Sequence, residues 1–171
     1  MATNKYFIHW NINNGLPDND VKSILHDSKG YLWIGTASGI SKYDGYHFTP
    51  VFQDDSFIIE DIKSLKEDGN GNIWINNFMV YDCSTGRFTT CNDYLSEIIG
   101  DNEQYAIRHI DRNHNLWLFR NKNVSFHNFK ISKTVKSEAK FESVNTVSDN
   151  GSQLCVVTDS GRLFRTDIDS I

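Results

Sequence analysis

DSKGYLWIGT, residues 27–36, places an Asp-led turn six residues ahead of a tryptophan, Asp27 before Trp33, and the spacing returns three more times. Asp68 precedes Trp74, Asp111 precedes Trp117, and Asp149 precedes Cys155, where the aromatic is replaced. The four aspartates stand 41, 43 and 38 residues apart, close to the roughly 40 to 50 residues of a four-stranded propeller blade. Each Asp opens a short Asn-, Ser- or Gly-containing stretch, in which the carboxylate can cap a tight turn and Gly can accept positive φ.

Working outward, alternation and turn residues divide each unit into short strands. In the first, residues 21–26, 31–36, 40–43 and 46–52 are separated by the turn at Asp27, the turn Ser38-Gly39 and the two-residue hairpin signal Asp44-Gly45. The second runs through 62–67, 72–76, 79–82 and 87–91. The third has 106–110 and 116–118, with 123–130 as its outer pair. The fourth has 143–148, 153–158 and 161–166, and no fourth strand. This predicts an all-β fold of about four four-stranded antiparallel β-propeller blades. Residues 1–171 then form a partial β-propeller with blades at 21–52, 62–91, 106–130 and 143–166. Phe7 precedes Trp33 by 26 residues, as Phe48 precedes Trp74 and Phe129 precedes Cys155, so 5–10 reads as a closing fourth strand. Such a strand would cover an otherwise unpaired edge.

The structural anchors are therefore Asp27, Trp33, Gly39, Asp68, Trp74, Asp111, Trp117, Asp149 and Cys155. One tryptophan per blade at one register is what packing between neighbouring sheets requires, so these indoles read as core rather than as sugar-stacking platforms. Cys155 implies a smaller contact in the last blade. His9, Trp10, Tyr31, Tyr46 and His47 are candidates for an exposed rim.

Composition narrows the function. With 39% apolar and 13% aromatic residues the chain can build a core rich in strands. Seventeen basic against twenty-two acidic residues, net −5, argue against a nucleic-acid partner, and Lys130, Lys133, Lys136 and Lys140 read as a solvated segment. No apolar run nears the ~18 to 20 residues of a membrane span, and the start lacks the apolar core of a signal peptide. Cys83, Cys91 and Cys155 are an odd number; a tight hairpin at 84–86 puts Cys83 opposite Arg87 and Cys91 opposite Met79, so free thiols are expected. The Asp-led turns lack the Glu of a calcium loop: twelve positions along from Asp68 stands Met79. The six histidines include no i, i+4 pair, and no nucleophile elbow or phosphate loop occurs. No catalytic residue, metal ligand or cofactor is indicated.

Residues 15–45, GLPDNDVKSILHDSKGYLWIGTASGISKYDG, resemble the two-component regulator propeller repeat, most closely over the Asp27 to Ile40 core. The second unit keeps Asp68, Gly71, Ile73 and Trp74 but has Asn76-Asn77 in place of Gly-Thr; the third keeps Asp111, Leu116 and Trp117, and the fourth Asp149, Leu154 and Gly161. The resemblance implies the periplasmic sensor region of a membrane-spanning, often hybrid, histidine kinase of Bacteroides type, detecting carbohydrate for transcriptional control. On that reading the chain is not itself an enzyme, its partner is an oligosaccharide, and it is a piece of a larger sensor or a short relative. Ligand contacts in that family are scattered over loops, so no ligand-binding residue carries over. A protein-interaction scaffold is the alternative; a propeller lyase is disfavoured by the lack of acid, base or metal clusters. The open fourth blade also predicts a homodimer, by strand exchange or propeller pairing.

Overall fold

The computed structural model describes residues 7–51, 59–100, 102–105, 107–120, 122–140 and 143–168, and the chain divides into two compact units, Met1–Leu65 and Lys66–Ile171. The fold is that of β-propeller blades, with one short α-helix among the described residues.

The first unit holds one antiparallel sheet in the order β1 (Val21–His26), β2 (Leu32–Thr36), β3 (Gly39–Tyr43) and β4 (Phe48–Val51). Trp33, paired with Leu25 and Lys42, is almost fully buried. Gly35 explains the Gly-Thr of the repeat: a Cβ there would stand 2.5 Å from Ile62 Cγ2 and 2.4 Å from Ser23 Oγ. Ile62 fills that space completely buried, its N–H donating to Thr36 O (3.0 Å) and its carbonyl accepting from Ser23 Oγ (2.6 Å). The expected two-residue hairpin at Asp44-Gly45 is instead a four-residue loop, 44–47, and β4 begins at Phe48. The Asp44 carboxylate accepts from the N–H groups of Tyr46 (2.8 Å) and His47 (2.7 Å), which holds both residues out of the strand.

The second unit contains three sheets. β5 (Leu65–Glu67, starting on the last residue of the first unit), β6 (Ile73–Ile75), β7 (Met79–Asp82) and β8 (Arg87–Thr90) form one. β9 (Ile107–Ile110), β10 (Leu116–Arg120), β11 (Asn123–Asn128) and β12 (Lys133–Lys140) form the next. β13 (Thr146–Asp149), β14 (Gln153–Val157) and β15 (Leu163–Asp167) form a three-stranded sheet among the described residues. The core lies between sheets. Trp74 packs with Ile110, Leu116 and Leu118 of the following sheet, and Trp117 with Leu154 and Val156 of the one after and with Ile168 just beyond its last strand.

Several boundaries differ from the sequence expectation. The third blade was expected to end at residue 130, with the lysines beyond it solvated, but Lys133–Lys140 is its fourth strand. Phe129, expected in an outer strand, lies in the turn before it, where Ser132 (φ 49°) reverses the chain. β-Branched Thr134 and Val135 then pair with His127 and Phe126, and Thr134 Oγ1 lies 2.8 Å from His127 Nδ1. Helix α1 (Cys91–Ile99) was not expected. Thr90 caps its start by accepting from Asp93 N (3.1 Å), and Gly100 in the left-handed region ends it. In the β7–β8 hairpin Asp82 faces Arg87 and Met79 faces Thr90, one residue from the predicted register. The Asp82 carboxylate holds the four-residue loop through Ser84 N and Oγ, both at 2.7 Å. Cys83, Cys91 and Cys155 form no disulfide among the described residues, and burial pushes the Cys91 thiol up to about 12.

The predicted strand 5–10 falls partly outside the described residues; of the remainder, 7–10 have no strand assignment, and Phe7 and Ile8 are exposed. No helix among the described residues is long and apolar enough to cross a membrane.

Candidate functional site

Three of the four repeat anchors are built alike. The indole Nε1–H donates to the second carboxylate oxygen of its Asp: Trp33 to Asp27 at 2.7 Å, Trp74 to Asp68 at 2.9 Å, Trp117 to Asp111 at 2.8 Å. The other oxygen accepts from two turn amides, those of Lys29 and Tyr31, Asn70 and Asn72, or Asn113 and Asn115. Every anchor carboxylate and indole in these three is buried, so the Asp-to-Trp spacing ties the turn to the packed face. None of the three indoles presents a stacking surface. Gly39 opens β3 at φ 139°, a conformation that L side chains rarely adopt.

The fourth anchor departs from this. Cys155 offers no indole, and Asp149 Oδ2 pairs instead with His109 Nε2 at 2.9 Å, while Oδ1 accepts from Gly151 N (2.9 Å) and Arg112 N (3.0 Å). The far side of the same imidazole meets Lys66: Nζ lies 3.3 Å from His109 Nδ1. An ammonium can only donate, so Nδ1 is the acceptor and Nε2 carries the proton given to Asp149.

Lys66 and His109 of this chain border a polar cavity of about 310 Å³. Lys66, His109 and Val147 come from the first strands of the three sheets, each two residues before its anchor Asp. Arg108 lies beside His109 on β9, and Asn77, Asn145 and Thr146 complete the lining. Arg108 donates from Nη1 to Asn77 O (3.2 Å) and from Nη2 to Asn92 Oδ1, and its Nε is buried with no acceptor among the described residues.

The electrostatics follow from burial. Desolvation lowers the Lys66 pKa, opposed by the Asp149 charge, and lowers that of Arg108. His109 is lowered by desolvation and by the neighbouring Lys66 charge, against the pull of its hydrogen bond to Asp149. Burial alone would raise Asp149, but hydrogen bonds from Arg112 N, His109 and Gly151 N together hold it below the usual carboxylate value. The cavity is thus a cationic, donor-rich recess with no carboxylate among its lining residues, and Asp149 behind His109 is already hydrogen-bonded.

The rim candidates lie elsewhere. Trp10 packs on Tyr43 (4.9 Å between centroids) and Phe48 (5.4 Å), Lys42 Nζ stands 3.6 Å over the Tyr31 ring, and His9, Tyr46 and His47 are exposed. Sequence reasoning missed Lys66, Arg108 and His109. The signal lay in the repeat itself: the position two before each anchor reads Leu25, Lys66, His109 and Val147, polar in the middle two units. No group of three or more His, Cys, Asp or Glu residues among the described ones is arranged to hold a metal.

Residues 15–38 match the family described as two component regulator propeller. No curated protein matches the chain. Among solved structures the chain is similar to the extracellular domain of a candidate hybrid two component system from B. thetaiotaomicron, at 20% identity and a TM-score of 0.58, over 88% of this chain and 22% of that one. It is also similar to PorZ, a surface component of the type-IX secretion system of Porphyromonas gingivalis, at 18% identity and a TM-score of 0.59, over 94% and 23%. The chain spans less than a quarter of either structure's length, and at these identities the likeness is one of fold.

Proposed function

We propose, starting from the regulator propeller repeat at residues 15–38, that this chain is part of the extracytoplasmic sensor region of a two-component signalling protein and that the ligand it helps to detect is a glycan. The observation that carries the reading is the Asp27 to Ile40 core, which reproduces the repeat of that family. The fold held in common with an extracellular domain of a candidate hybrid two component system supports it. So does the architecture: rigid sheets locked by buried Asp–Trp pairs leave the loops to carry recognition. In the parent protein, kinase and transcriptional functions belong to other regions, on the periplasmic reading across the inner membrane.

A thermal-shift panel of oligosaccharides on the full chain tests this. A ligand present at a hundred times its Kd should add about 2.7 kcal/mol of stability, a shift of several degrees. No shift with any oligosaccharide would instead favour a protein-interaction scaffold.

A further inference from the structure

We infer that the cavity bounded by Lys66, Arg108 and His109 is a carboxylate-binding site, and that the glycan constituent it takes is an acidic sugar. The sugar part rests on the glycan reading above; the anion part stands on this cavity alone.

Two basic side chains from neighbouring sheets, Lys66 and Arg108, line one recess of about 310 Å³. Asp149, just outside the lining, has Oδ2 engaged by His109 and Oδ1 by two backbone N–H groups, so it acts on Lys66 through its charge and through the intervening imidazole. Among the described residues Arg108 is hydrogen-bonded to neutral acceptors, a backbone carbonyl and an amide oxygen, and its Nε has none. Lys66 and Arg108 are half-buried, and cations drawn out of water are ordinarily paired. Here the recess keeps an excess positive charge, and its cations pay a desolvation cost that is visible in their lowered pKa values.

The missing partner is therefore an anion. An ammonium has three N–H donors, of which one is directed at His109. Lys66 can give the others to a ligand carboxylate. Asn145 and Thr146, at the start of β13, add neutral polar groups suited to hydroxyls beside that carboxylate. The Asp149–His109 pair fixes the imidazole so that its acceptor nitrogen holds the ammonium in place, which makes His109 a positioning residue.

The test is an NMR titration of the full chain, following the His109 ring signals at constant ionic strength. Sodium glucuronate is the probe, and glucose, with CH₂OH in place of the carboxylate, is its neutral counterpart. Glucuronate should move the His109 signals and raise the His109 pKa, and glucose should do so at least about tenfold more weakly. Lys66→Met should weaken glucuronate about ten- to a hundredfold, and Lys66→Arg, which keeps the charge, should largely retain it. Equal response to both sugars, unchanged affinity in Lys66→Met, or no response of His109 to glucuronate would overturn the carboxylate site. If a neutral oligosaccharide still shifts the melting temperature in the panel, the sensor reading survives that outcome, so the two failures are distinguishable.

Discussion

At position 155 the repeat gives up its indole, and Asp149 finds a replacement donor in His109, one sheet earlier. A buried carboxylate oxygen left without a donor costs more than a hydrogen bond is worth when made, so the Trp-to-Cys change and the histidine belong together. The intact anchors let that rule be tested directly. Asp68 accepts from Asn70 N, Asn72 N, Trp74 Nε1 and Tyr94 Oη. Asp68→Asn would set a donor amide against the indole and the phenol, and should lower stability by about 2 to 4 kcal/mol in urea unfolding. His109 gives a pH prediction. Its pKa is lowered in the folded chain, first by burial and then by Lys66, against the charges of Asp149 and Asp111. The unfolded chain therefore takes up the proton first, so the neutral-imidazole contribution is complete above about pH 6.5 and is lost as pH falls through the folded-state value. His127, also lowered by burial, acts in the same sense. The melting temperature should fall between about pH 7.5 and about pH 5.5, and His109→Gln should flatten that fall; an unaltered slope would remove His109 from the account.

Among the elements, the seam between the second and third sheets is closely fitted at Gly69. A Cβ on Gly69 would lie 2.3 Å from Phe129 Cβ, and Phe129 packs on the cluster of Trp74, Tyr94 and Leu95. Gly69→Ala should therefore destabilise by about 1 to 3 kcal/mol through overpacking, read as a shift in the urea midpoint with an unchanged slope. The four strands around Trp33 and the central strands around Trp74 and Trp117 were legible because alternation and turn chemistry agree there. Helix α1 was not, although Thr90, Asp93 and Gly100 form a recognisable cap and stop. Between Asp68 and Asp111, β6 is only three residues long against five in β2, which leaves chain for a short helix while the anchor spacing stays near that of its neighbours. β12 escaped notice because its lysines read as solvent-facing coil, whereas the backbone pairs Asn128 with Lys133 and Phe126 with Val135. Strand pairing is a long-range property, and charge pattern along one segment does not report it.

For the molecule as a whole, periodicity disclosed the scaffold and concealed the cavity. Lys66 and His109 lie 43 residues apart and meet only once two first strands stand side by side; alone, each looks like an ordinary polar residue on a short strand. The three-stranded sheet bears on assembly. β15 is exposed along its length, with Leu163 and Phe164 among the exposed apolar residues, and such an edge invites another strand. If residues 5–10 of a second copy supply it, light scattering at micromolar concentration will give twice the mass of one chain, and removing those residues will restore the single mass; a strictly monomeric chain sinks strand exchange. The Asp–Trp pairs carry one more consequence. Of the four tryptophans, Trp33, Trp74 and Trp117 are each 1% exposed and donate to a carboxylate, whereas Trp10 is 36% exposed beside Tyr43 and Phe48. A collisional quencher such as acrylamide therefore extinguishes the emission of Trp10 first, and the fluorescence that survives is a built-in optical gauge of whether the seams between sheets are still shut.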